Sequence, residues 1–418
     1  MNAPAVSTNL PARTAVLVFL SFAFAYFPSA LVRGVVATLA PAFSAELQLT
    51  ASELGLLAGA YFLGFAAMQL PLGSALDRYG PKRVLLVFLA VAVVGCGAFA
   101  LADSFIALTV ARALIGVGVS ACLMAPMTSF RRNFTPTTQM RANSWMLMTG
   151  SLGLIASTLP VQWLMPLLGW RGLFWALALF FVVAMVFIAR AVSPDRLEDA
   201  PLPVATGGYG EVFRHPVFRR YLPMGFFQYG GMVALQSLWI GPWLTRVCGW
   251  SPGETAAGLF GINVAMLLTF MAWGFLVPRL YARGWTAHGL IARGMTAPIL
   301  ALWAGVAAGP GATAWLWGLF CVSSTFVSLS QPAIGQAFPA SLAGRALSAY
   351  NLVIFAGVFT LQWTMGAVID ALVAIGWSIV SAYQGAFALL AVCCSLSYLW
   401  FLWRREPELA VTAAVTAR

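Results

Sequence analysis

The feature that most limits what this chain can fold into is the recurrence of apolar runs of roughly 20 residues or more along almost its whole length. Each run can cross a hydrocarbon core of roughly 30 Å at about 1.5 Å of helix per residue. Stretches such as Val84 to Leu101 and Leu173 to Ile188 are apolar on every face, whereas a transmembrane β-strand alternates polarity over ~10 residues. Helical spans are therefore expected. Composition agrees, because 61% of the 418 residues are hydrophobic and 8% are charged, too little polar surface to cover a soluble globule.

The spans are expected near residues 14–40, 53–72, 84–101, 105–127, 143–166, 172–190, 220–244, 255–277, 286–308, 312–334, 346–370 and 377–403, twelve in all. A net charge of +11 could suggest a nucleic-acid partner, but its placement reads as a topology signal. With a cytoplasmic N-terminus, eighteen Lys and Arg fall in inner loops and tails, including Arg78, Lys82, Arg83, Arg131, Arg132, Arg141, Arg219 and Arg345. Only two, Arg171 and Arg246, fall in outer loops. The positive-inside rule then puts both termini in the cytoplasm. Met1 to Ala30 superficially resembles a signal peptide, yet its apolar stretch continues past Ala30, so it is kept as the first span. The six cysteines have no metal-like spacing and read as small core residues; no metal site, cofactor or nucleic-acid partner is expected.

Punctuation in the first half recurs in the second at a nearly constant offset. Gly73 is echoed by Gly274, Phe134 with Arg141 by Phe338 with Arg345, and Gly169-Trp170 by Gly376-Trp377, at offsets of 201, 204 and 207. Such internal repetition marks a duplicated helical bundle. The expected division is an N-terminal six-helix bundle over 1–192, a cytoplasmic linker over 193–219, a C-terminal six-helix bundle over 220–404 and a tail over 405–418.

The most specific stretch is Gly73-Ser-Ala-Leu-Asp77-Arg78-Tyr-Gly80-Pro-Lys82-Arg83, between spans 2 and 3. Its glycines permit a tight turn, and Asp77 can sit against a helix N-terminus or a cation. The stretch resembles the signature of the major facilitator superfamily. Arg112-Ala-Leu-Ile-Gly116-Val-Gly118 resembles that superfamily's second motif, and Gly169-Trp170-Arg171 with Phe174 resembles its usual entry to span 6. The resemblance implies an all-α integral membrane protein with two six-helix bundles around a central cavity lined by spans 1, 4, 7 and 10. It implies a bacterial inner-membrane transporter working by alternating access, with Asp77 and Arg78 latching the halves on the cytoplasmic side, supported by Gly73, Gly80 and Arg83. The second half departs from this pattern, because Pro278 stands where Asp77 stands in the first.

An arginine near the bilayer centre costs about 2.5–3.5 kcal/mol on insertion scales, so Arg33 and Arg112 should face water, a partner or a substrate. Tyr26, Ser29 and Arg33 share one face of span 1 by their spacing of three and four. The stretch Tyr26 to Pro41 resembles the first helix of organophosphate and organic-anion members. The alternatives are that Arg33 snorkels to head groups and Arg112 binds backbone carbonyls. Softer candidates are Tyr61 in span 2; Gln228, Gln236 and Trp239 in span 7; and Ser324, Ser328 and Gln331 in span 10. The serines can also serve close helix packing.

No acidic residue lies in the middle third of a span, and Asp370 is nearest, at the outer end of span 11. Proton-driven export of cationic drugs is therefore disfavoured. The expected partner is a small solute, an organic anion, in a monomer surrounded by lipid. An exporter of amphipathic compounds, a siderophore or amino-acid carrier, and a sensor without flux stay open. A lipid-modifying membrane enzyme would need a His, Asp, Glu or Cys cluster that the sequence does not show.

Overall fold

The computed structural model describes residues 11–193 and 208–403, so the tail 405–418 and linker residues 194–207 lie outside the described residues. Among the described residues the chain is helical and contains no strand. Twelve spans run back and forth, which leaves their first and last ends on one face. That face is called proximal and the opposite one distal.

Among the described residues eight helices are long and apolar enough to cross a membrane unaided, and they supply spans 1, 3, 4, 6, 8, 9, 11 and 12. Local backbone physics explains the other four. Span 2 runs Ala51–Ala67, bends by 44°, and continues as Gln69–Tyr79. Span 5 begins with the polar turn of Pro136–Ala156. Span 7 contains wide turns at Met224–Tyr229, Leu235–Trp239 and Trp243–Val247, which lets more residues fit per turn than an α-helix does. In span 10 the tight turn Thr325–Leu329 coincides with hydroxyls that bond backwards, Thr325 to the Val322 carbonyl, Ser328 to Thr325 and Ser330 to Val327. Such back-bonding competes with the helical ladder and bends it.

Two sequence expectations shift in detail. Gly73 does not open a loop: it lies inside the helix Gln69–Tyr79, and the chain turns only at Gly80, whose φ of 78° suits a residue without a side chain. Pro81 then starts span 3. The far end of the linker is helical over Tyr209–Arg214 and enters the C-terminal half through the helix Pro216–Pro223, and Val212, Phe218 and Tyr221 are buried in one apolar cluster with that half. Lys82 donates to the Ala189 carbonyl at 2.7 Å, placing a cation at the carbonyl end of span 6.

Span 1 (Ala12–Leu47) and span 6 are pinned together at the distal face. Trp170 Nε1 donates to a Glu46 oxygen at 2.6 Å, while Arg171 bonds Glu46 and the Asp103 carboxylate and lies over the Trp170 ring. The single left-handed residue between spans 5 and 6, Gly169, aims Trp170 and Arg171 at these acids. Arg171, one of two outer-loop cations by the charge count, is thus held by local carboxylates.

The two halves approach backbone to backbone towards the distal end. A methyl group on Gly55 would lie 2.2 Å from the Gln362 carbonyl oxygen, and one on Gly366 would lie 2.2 Å from that of Ala51. These contacts join span 2 to span 11 (Ala340–Ala374). Span 1 meets span 7 in the same way, since a methyl on Gly241 would lie 2.5 Å from the Ala37 carbonyl oxygen. Pro41 has no N–H, so the Ala37 carbonyl lacks its helical partner, and Gly241 lets the opposite helix close over it. Glycine is required at these positions because any side chain would separate the halves.

Candidate substrate site

Ala37 fixes which face of span 1 is turned towards the other half. Arg33 lies one helical turn below it on that face, just to the proximal side of the Ala37–Gly241 contact, and Tyr26 lies two turns further in. Arg33 is half-buried, and among the described residues it makes no hydrogen bond or ion pair. Its charge reaches the phenols of Tyr26, Tyr61 and Tyr229, from spans 1, 2 and 7, so both halves contribute to its surroundings. The Tyr26 ring packs on Gly150 of span 5, which has no side chain to displace it.

Arg112 is placed differently. It is 1% exposed, donates from Nη2 to the Val32 carbonyl at 2.8 Å, and sits 4.9 Å from the centre of the Tyr61 ring. A bonded carbonyl and an aromatic face partly compensate its desolvation, while Nε and Nη1 have no hydrogen-bond partner. Arg112 thus holds the peptide that joins Val32 to Arg33, and its charge and that of Arg33 both reach the Tyr61 phenol. Ser29 is buried and bonds Cys122.

In the C-terminal half the wide turns shift the phase of span 7, so residues that share an α-helical face by spacing diverge. Gln228 is buried and donates to the Cys394 carbonyl at 2.9 Å. Trp239 is buried against Tyr383, and Gln236 donates to Asn263 Oδ1 at 2.8 Å. In span 10, Ser324 is buried, Ser328 is bonded to its own helix, and Gln331 donates to Asn351 Oδ1 at 2.9 Å. Tyr229, seven residues before Gln236 and so on its α-helical face, is a span 7 residue within electrostatic reach of Arg33.

The signature stretch lies at the proximal end of span 2. Asp77 stands 3.9 Å from Arg132 of its own half and is 44% exposed. Arg78 lies beside the Tyr79 ring, and Arg83 is exposed. Among the described residues no group of three or more His, Cys, Asp or Glu could hold a metal ion.

The family profile described as Major Facilitator Superfamily matches residues 22–360. The cis,cis-muconate transport protein of Acinetobacter baylyi is 26% identical over 332 residues, covering 74% of this chain and 76% of that protein. The hexuronate transporter of Bacillus subtilis is 29% identical over 189 residues, 43% of each chain. Among solved structures, a bacterial homolog of the human lysosomal transporter Spinster, inward-facing and unoccupied, superposes with a TM-score of 0.75 at 17% identity. That match covers 96% of this chain and 100% of that one, and it shows the shared fold.

Proposed function

The chain belongs to the major facilitator superfamily, and we propose that it carries a small organic anion across the bacterial inner membrane by alternating access, with Arg33 as the cation that binds the anion. The family and the relatives are membrane transporters, not enzymes.

The observation that carries the substrate class is the uncompensated guanidinium of Arg33 in the membrane interior, with phenols from both halves around it. A cation within a membrane span is expensive without a partner, and a carboxylate can supply one through two parallel hydrogen bonds. Two relatives are named for muconate and for hexuronate, both carboxylates, which supports the same class. Placing Arg33 directly below the distal seal makes the ligand part of the gate, so binding and closure favour one another. Both termini then lie in the cytoplasm, the distal face is the outer one, and the monomer is the functional unit. Asp77 and Arg78 latch the proximal side in the opposite state, and in the present one Asp77 rests against Arg132.

A thermal-shift screen of the purified protein tests this reading with muconate, a hexuronate, benzoate, the neutral amide of benzoate and a cationic dye. A ligand at 100 times its dissociation constant adds about 2.7 kcal/mol of stability. Carboxylates should raise the melting temperature where the amide and the dye do not. A shift by the dye alone would replace the anion reading with an amphipath exporter.

A further inference from the structure

Asp370 was only the acid nearest the membrane interior by sequence, but its position at the distal end of span 11 is specific. Its two carboxylate oxygens accept hydrogen bonds from the Ala51 and Ser52 backbone N–H groups at 3.0 and 2.7 Å. Those groups belong to the first turn of span 2, in the other half of the molecule and more than 300 positions away in sequence.

A helix leaves its first four N–H groups without partners in its own ladder, and in span 2 each has a defined acceptor. Thr50 Oγ1 accepts from the Glu53 N–H, a Glu53 carboxylate oxygen accepts from the Thr50 N–H at 2.9 Å, and Asp370 takes the remaining two. The helix is thus capped half by its own sequence and half by the opposite domain. Ionised acceptors make the stronger hydrogen bonds, and the positive end of the helix favours a carboxylate there. Gly366, one turn before Asp370, packs on the Ala51 carbonyl, so the ionic contact and the glycine seal form one continuous surface.

Spans 2 and 11 lie against each other, and the other end of the pair shows the reverse arrangement. The N-terminus of span 11, at Pro339–Ala340, has no side-chain cap and no acid in its first turn, while Asp77 of span 2 is half-exposed beside Arg132.

We propose that Asp370 is a distal latch, a carboxylate of the C-terminal half that caps span 2 of the N-terminal half and releases it whenever the distal side opens. The latch rests on the alternating-access reading but not on the identity or charge of the solute. Its two bonds exist only while the halves are closed distally, so they bias the resting protein towards that state. Water must take over the Ala51 and Ser52 N–H groups in the other.

The test uses the purified full-length protein carrying nitroxides at Gln48→Cys and Val373→Cys, exposed sites on the distal ends of the two halves, in a background lacking the partly exposed Cys248 and Cys393. Pulsed-EPR distances then report distal opening without ligand and without assuming an orientation. Asp370→Asn should raise the ratio of distally open to closed molecules about ten-fold, the shift produced by ~1.4 kcal/mol. Ala51→Pro removes one donor at the first helical position, where proline is tolerated, and should shift the ratio the same way. Thr50→Ala removes the helix's own cap in both states, so it should lower the melting temperature and leave the ratio unchanged. If Asp370→Asn does not fold, Ala51→Pro decides. A distance distribution unchanged in every folded variant of Asp370 and Ala51 would overturn the latch. Because no ligand is present, that result leaves the anion reading standing.

Discussion

Gly55→Ala is the smallest change that should reset the distal seal. The added methyl would lie 2.2 Å from the Gln362 carbonyl oxygen, and ordinary contact begins at 3.4 Å, so spans 2 and 11 must separate by about 1.2 Å, the difference of these distances. Both the oxygen and Gly55 are main chain, and the indole of Trp239 stands 3.3 Å away, so no flexible side chain can absorb the displacement. Overpacking of this kind costs about 1–3 kcal/mol. Alanine's better helix propensity applies to span 2 in both conformations and cancels from the comparison. Only the closed state carries the penalty. The ratio of distally open to closed protein should therefore rise by about 5–150-fold, read from the same nitroxide pair. Transport should slow because the closed state is reached less often. A variant with the parent's distances and rate would refute the idea that backbone contact at Gly55 makes the seal.

Three further outcomes follow from other parts of the molecule. Arg171→Ala removes the bonds to Glu46 and Asp103 and the stacking on Trp170. Because the cluster is partly exposed, the cost should be about 1 kcal/mol, seen as a lower melting temperature with the ligand affinity unchanged. Asp77→Asn should leave the melting temperature nearly unaltered, since Asp77 is half-exposed and 3.9 Å from its cation. It should nevertheless slow transport, and equal flux would remove its latch role. Arg112→Gln should reduce expression and thermal stability, because the Val32 carbonyl and the Tyr61 ring lose their cation, and ligands should keep their preference for negative charge.

The sequence revealed what depends on long-range composition and on local punctuation. Apolar runs and repeated Gly-Trp and Phe-Arg marks located the spans and the two halves, and the signature stretch identified the family. It was less informative wherever a helix leaves the α-helical period. Gln228 and Trp239 share a face at a spacing of 3.6 residues, but the wide turns of span 7 break that spacing, so Gln228 bonds span 12 while Trp239 lies between Tyr383 of span 12 and Gly55 of span 2. Gly73 was expected to form a turn that only Gly80 makes, because the helix after the bend in span 2 continues to Tyr79. The sequence left open whether Arg112 faces a substrate or backbone carbonyls, because the bond to the Val32 carbonyl depends on how span 4 packs on span 1. The contact of Asp370 with Ala51 and Ser52 has no local signal at all, since its partners come from the other half of the chain.

Ligand affinity in Arg33 variants tests the central claim most directly, using the best carboxylate from the thermal-shift screen and melting temperature as the control for folding. Arg33 has no protein partner among the described residues, so replacing it should not unfold the chain. Arg33→Gln should weaken carboxylate binding by at least about thirty-fold, the lower end (~2 kcal/mol) of what truncating one member of a buried charged pair costs. Arg33→Lys keeps the charge but loses the planar fork, so it should fall between. Folded Arg33→Gln protein that binds the carboxylate as tightly as the parent would contradict the assignment of Arg33 as the anion's partner.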